Sequence, residues 1–60
     1  MDLLKINEAS EKLNISESTL YRWIKGRRIP HVKMGDALRF RDLDLDRFIN
    51  SHIIKATDSK

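Results

Sequence analysis

Sixty residues leave room for one small domain, and a domain of that size buries only about 60% of the surface its unfolded chain exposes. A composition of 40% hydrophobic and 35% charged residues, with two glycines and one proline, excludes collagen-like and low-complexity chains. With no cysteine and no apolar run longer than two residues, disulfides, thiolate zinc sites, a membrane-spanning helix and a signal peptide are not expected. The expectation is a cytoplasmic protein on a small helix-built core, with little room for the deep substrate pocket of an enzyme.

The net charge of +3 conceals an asymmetry. Residues 22–41 carry Arg22, Lys25, Arg27, Arg28, Lys33, Arg39 and Arg41 against Asp36 alone, a local net of +6. The flanking segments are mildly acidic, at −2 for residues 1–21 and −1 for residues 42–60. A concentrated cationic segment on an otherwise acidic chain is a footprint for a polyanion.

Leu3-Leu4-Lys5-Ile6 is a short apolar start. Ile6, Ala9, Ser10 and Leu13 recur at helical spacing and predict a helix over 6–13. Lys5 is a poor cap for it, and Asn7 is a better one if the helix begins later. Asn14, tolerant of left-handed backbone, suits a tight turn. Ser16 is a good cap for a second helix, with Ile15 and Leu20 at the spacing of a hydrophobic staple. That helix is expected to run from Glu17 to about Lys25, with Leu20, Trp23 and Ile24 as its apolar stripe and Gly26 as its stop. Ser18, Thr19 and Arg22 fall on the opposite side.

Pro30 keeps the basic connection that follows extended. The runs 31–34 and 37–41 alternate, and Gly35-Asp36 between them fits a two-residue hairpin turn. Val32, Leu38 and Phe40 are expected on one face, with Lys33, Arg39 and Arg41 on the other. Asp42 is placed to cap a last helix in which Leu45, Phe48, Ile49 and Ile53 recur at i, i+3, i+4 and i+8. Asp44 and Asp46 suit its first turn, where the helix dipole favours carboxylates. The domain is expected over 1–54, with a frayed tail at 55–60.

Two short helices joined by a tight turn make a helix-turn-helix. Such a unit needs a small residue where the helices cross, a turn residue that accepts left-handed backbone, and apolar residues after the turn and in the middle of the second helix. Ser10, Asn14, Ile15 and Leu20 meet these demands in order. The second helix of such a unit enters the DNA major groove. This placement aims Ser18, Thr19 and Arg22 at base edges, with Arg22 best suited to bidentate guanine pairing. Ser16, Tyr21, Lys25, Arg27 and Arg28 fall nearer phosphates. The hairpin acts as a wing whose Lys33 and Arg39 flank the tip and are expected to reach the DNA backbone or an adjacent minor groove, with Arg41 a further backbone contact.

Five stretches carry a family resemblance: residues 8–16, 18–24, 28–30, 32–35, and 38–41 followed by Asp44-Leu45-Asp46-Arg47-Phe48. In their order and spacing, residues 3–49 resemble the excisionase-family, MerR-like winged helix-turn-helix DNA-binding domain. The resemblance implies a mostly α fold with a small β-hairpin, base contacts from the second helix and backbone contacts from the wing. It implies an excisionase-like architectural factor in site-specific recombination or, alternatively, a small transcriptional regulator. Its implied partners are double-stranded DNA, a second copy on an adjacent site and an integrase or recombinase. The family often has Thr where Lys5 stands, pairing with Glu8 as a capping box, and Gly where Asn14 stands.

Other readings of the same residues carry less. Asp42-Leu43-Asp44-Leu45-Asp46 begins like a calcium loop, but Arg47 and Ile53 stand where such a loop needs Gly and Glu. His31 and His52 have no companion ligands, so neither metal nor cofactor is expected. Tyr21 and Trp23 suit base stacking, but Trp23 lies on the apolar stripe and fits the core better. A reading of a different class is a protein-interaction module that meets an acidic partner through the basic face.

Overall fold

The computed structural model describes residues 2–56. In chain order the elements are β1 (Leu3–Leu4), α1 (Ile6–Leu13), α2 (Glu17–Lys25), β2 (Val32–Met34), β3 (Ala37–Arg41) and α3 (Asp42–Ser51). This is the winged helix-turn-helix architecture, mostly helical with a small antiparallel sheet.

Both helices of the helix-turn-helix have the expected bounds, and their ends show why. Lys5 precedes α1 in extended conformation, and the Glu8 carboxylate accepts from its backbone N–H at 2.8 Å. Half of a capping box therefore forms at Lys5, and the start does not slip to Asn7. The other half requires an acceptor at residue 5, which a lysine ammonium is not. Lys5→Thr supplies it, and the urea midpoint should rise by the equivalent of about 0.5–1 kcal/mol. An unchanged midpoint would count against the cap.

At the other end of α1, Asn14 adopts φ 57° and ψ 45°. The N–H of Asn14 donates to Glu11 O at 3.1 Å, and that of Ile15 to Ser10 O at 3.0 Å. These paired bonds close the helix and turn the chain in a Schellman motif. Ser16 then caps α2, its Oγ accepting from Thr19 N–H at 3.1 Å. Ala9 and Ser10 are both buried, and the Ser10 hydroxyl is satisfied by Asn7 O at 2.8 Å. Small side chains at these positions let α1 and α2 approach.

The end of α2 differs from expectation. Gly26 has ordinary φ (−84°), and the left-handed residue is Arg27, at φ 56°. Arg27 N–H donates to Ile24 O at 3.0 Å and Arg28 N–H to Trp23 O at 2.8 Å. The motif that ends α1 thus recurs here, with an arginine where glycine is usual.

The hairpin turn has its only positive φ at Gly35 (59°) among its two central residues, as a turn with Gly first requires. Its register pairs Val32 with Arg39, Lys33 with Leu38 and Met34 with Ala37. Directly paired residues share a face, so the expected division of the hairpin is wrong at two positions. Lys33 lies on the face of Leu38 and Phe40, and Val32 lies on the face of Arg39 and Arg41. Leu3-Leu4 is a third strand, with Leu4 opposite Phe40 and Leu3 opposite Arg41, and the sheet order is β1-β3-β2.

Ala9, Leu20, Ile29, Phe40 and Leu45 form the buried core. Leu4, Ile6, Leu13, Ile15, Trp23, Ile24 and Phe48 pack around it. Trp23 sits against Phe48, with ring centroids 5.9 Å apart, so it is a core-side residue and not an open stacking platform. Arg41, not Asp42, precedes α3 in extended conformation, and no side chain caps the helix. Only the first part of the α3 stripe is covered: Leu45 is buried, Ile49 is exposed, and Ile53 lies past the helix end. Within the expected 55–60 tail, residues 57–60 lie outside the described residues.

Candidate nucleic-acid interface

The outer surface of α2 follows from its buried stripe. With Leu20 fully buried and Trp23 and Ile24 turned to the core, the exposed residues Ser18, Tyr21, Arg22 and Lys25 fall at i, i+3, i+4 and i+7. That spacing puts them on one helix face. Tyr21 is half exposed, at 51%. Thr19 lies off this stripe and is half buried. Its Oγ1 accepts from the Ser16 hydroxyl at 3.0 Å, while its N–H is held by the same serine. Ser16 and Thr19 are thereby engaged with each other at the start of the helix. Ser18 and Arg22 are the expected base-facing residues that stand open.

The basic surface continues from this face into the connection. Arg27 and Arg28 are exposed, and the left-handed turn at Arg27 redirects the chain towards the hairpin. A non-glycine residue in this region costs about 1–2 kcal/mol, so the fold tolerates a penalty to keep a cation there. Arg27→Gly should raise stability by about 0.5–1 kcal/mol, since the relief is partly offset by glycine's flexibility. If Arg27 meets a phosphate, the same variant should bind all duplexes more weakly, with a salt slope shallower by about one unit. Chemical denaturation and a salt titration of duplex binding check the two halves separately.

The three cations expected on the wing are not equivalent. Lys33 is exposed on the face of Leu38 and Phe40. Arg39 is on the opposite face and half buried, with Nη1 donating to Leu38 O at 2.8 Å. Arg41 is held by Asp44 through two bonds, at 2.5 and 2.7 Å. The Arg41 guanidinium holds the Asp44 carboxyl below its ordinary pKa, against a smaller desolvation effect, and Asp44 raises Arg41 in turn. The wing therefore offers one open cation, one half-buried cation and one already paired.

The aspartates of the D-x-D-x-D run are likewise occupied. Asp42 and Asp46 both bond Lys12, the latter at 2.8 Å, and together they raise its pKa. These pairs tie α1 to the first turns of α3. Among the described residues, ion pairs involve Lys12 and Arg41 but none of Arg22, Lys25, Arg27, Arg28, Lys33 or Arg39. Each aspartate of α3 has a cation partner within the fold, with Asp42 and Asp46 sharing Lys12, whereas the cations of α2 and its following connection have none among the described residues. Charge counting along the sequence located the cationic segment. It did not reveal that Arg41 is neutralised locally or that Thr19 is bound to its cap, because both depend on side-chain geometry.

Residues 3–53 match the family model described as a helix-turn-helix domain. The transcriptional repressor DcmR of Methylorubrum extorquens is 41% identical over 51 residues, which take in 82% of this chain. The match spans 19% of the length of that repressor. No solved structure matches the chain.

Proposed function

The chain belongs to the helix-turn-helix domain family, and from that premise we propose that it reads double-stranded DNA in a sequence-specific manner. The observation that carries this reading is the uncompensated cationic surface that begins on the open face of α2. Ser18 and Arg22 are the base readers, and Thr19 contributes chiefly by holding the start of the helix. Tyr21, Lys25, Arg27, Arg28 and Lys33 bind phosphates, which sets register without reading sequence. Ser16, Arg39 and Arg41 play smaller backbone roles, because each already has a partner within the fold. The chain acts by binding and not by catalysis.

Of the two biological roles that the sequence resemblance implies, control of transcription has the better support, since the curated relative is a transcriptional repressor. The excisionase-like, MerR-like subtype and an integrase partner rest on the sequence motifs of residues 3–49. A reporter promoter carrying the preferred duplex separates the two roles. Repression by the chain supports the first, and bending of that duplex without repression favours the second.

Random-duplex selection at near-physiological salt tests the reading itself. An enriched motif is the expected result. Salt-sensitive binding with no motif would make the surface a generic polyanion site and overturn sequence reading.

A further inference from the structure

Asp36 is the only acid within residues 22–41, a segment that holds seven Lys and Arg. It stands at the tip of the hairpin, second in the Gly35-Asp36 turn between β2 and β3. It is exposed, and it takes part in no ion pair among the described residues, although Lys33 and Arg39 stand three residues to either side. The turn itself is slight: Gly35 has no side chain, and the space where a Cβ would stand is open. Lys33 and Arg39 fall on opposite faces of the hairpin. Cations on both faces suit entry of the tip between the two phosphate rows that border a groove.

An ionised carboxylate only accepts hydrogen bonds, and so do phosphate oxygens, so Asp36 is repelled along the DNA backbone. Across either phosphate row of the major groove that α2 enters lies a minor groove, about 6 Å wide, which admits a slight tip and not a helix. A·T pairs show acceptors alone there, and the one donor is the N2 amino group of guanine. We propose that Asp36 is a specificity-determining residue that accepts a hydrogen bond from this amino group of a G·C pair and rejects A·T pairs at the same position. The inference rests on the DNA reading proposed above and deepens it. The acid lowers general affinity and raises discrimination, because it weakens every duplex that lacks the donor. Since α2 sets the register, the preference has a fixed position only while Arg22 reads.

Random-duplex selection with the original chain and with Asp36→Asn tests it. Asparagine suits a turn as well as aspartate does, and its neutral amide can donate to the acceptors of A·T pairs. The original chain should enrich one G·C pair that Asp36→Asn does not, while both enrich the rest of the motif. Replacing the guanine of that pair by inosine deletes the N2 amino group and leaves the major-groove edge unchanged. The swap should weaken the original chain about five- to tenfold, the lower end of what one mismatched pair costs, and Asp36→Asn by less than about twofold. Glu11→Gln, which removes an equal charge from an exposed position on α1, should tighten all duplexes slightly and keep the G·C preference. Equal losses on the inosine duplex for the original chain and Asp36→Asn overturn the proposal. So does an Asp36→Asn variant that binds every duplex more tightly with an unchanged motif, since the acid would then only form the turn and offset charge. A motif with no pair that depends on Asp36 overturns this inference and leaves the α2 reading standing, whereas a selection without any motif overturns both.

Discussion

Phe40→Ala should leave the chain largely without a stable fold at room temperature. Phe40 is fully buried, with 0% exposure, one residue before the end of β3, paired with Leu4 of β1. Its ring belongs to the same cluster as Ala9, Leu20, Ile29 and Leu45. Truncating a buried phenylalanine costs about 3–5 kcal/mol, as lost transfer energy and as the cavity left behind. At about 0.05–0.15 kcal/mol per residue, a chain of this length has total stability on the order of 3–9 kcal/mol. The loss is thus comparable with the whole. Urea titration followed by Trp23 fluorescence measures it, because Trp23 is half buried against Phe48 and will report loss of packing. Phe40→Leu, which keeps most of the volume, should retain a folded baseline. Met34→Ala, at an exposed position on the same hairpin, should move the midpoint by no more than about 0.5 kcal/mol. If Phe40→Ala unfolds at the original midpoint, the core is not organised around β3.

The parts of this fold that were legible in the sequence are those fixed by neighbours in the chain. Residues 6–13 and 17–25 are helical as predicted because each boundary is written locally: Glu8 reaches back to Lys5, Asn14 takes left-handed backbone, and Ser16 caps. What failed depends on distant partners. A strand of two residues has no period to detect, and Leu3-Leu4 becomes one only because β3 lies beside it. Gly35-Asp36 predicts the hairpin turn, but hydrophobicity alone divides the faces of the hairpin wrongly. The turn instead fixes Met34 against Ala37 and so Lys33 against Leu38. A slip of one residue exchanges the faces of a strand, and β2 is short and lies at the sheet edge, where its apolar content decides little. The period of Leu45, Phe48, Ile49 and Ile53 predicts a helix through Ile53, but α3 ends at Ser51, and the domain is too small to cover Ile49 and Ile53.

The candidate interface divides in the same way. Arg22 and Lys25 could be placed on the outer face of α2 from periodicity, because Leu20, Trp23 and Ile24 fix which side is inward. Thr19 could not be separated from Ser18 by that means. Only the hydroxyl bond from Ser16 shows that Thr19 is occupied. Arg41 counts as a free charge in the sequence and is neutralised by Asp44 three residues later. Local charge therefore overstates the cationic surface at the wing and describes it fairly on α2.

Arg22→Ala should abolish base preference while leaving the fold intact. Arg22 is exposed and outside every ion pair among the described residues, and alanine is the best helix former, so stability should change little. On DNA the effect should be large. A bidentate arginine–guanine pair discriminates by about 1–3 kcal/mol, roughly a factor of 5 to 160 in affinity. That loss should fall on the preferred duplex and spare unrelated duplexes, apart from the small uniform decrement due to one fewer cation. Lys33→Ala provides the contrast: it should weaken every duplex alike and reduce the salt slope by about one unit. Competition binding at two salt concentrations, with preferred and scrambled duplexes, distinguishes the outcomes. A loss confined to the preferred duplex in Arg22→Ala assigns sequence reading to the open face of α2. An equal loss on both duplexes would make Arg22 a phosphate contact and leave Ser18 as the remaining base reader on that face. Altered base preference in Lys33→Ala would move part of the readout to the hairpin. The hairpin register allows for this outcome, since it sets Lys33 on the opposite face from Arg39.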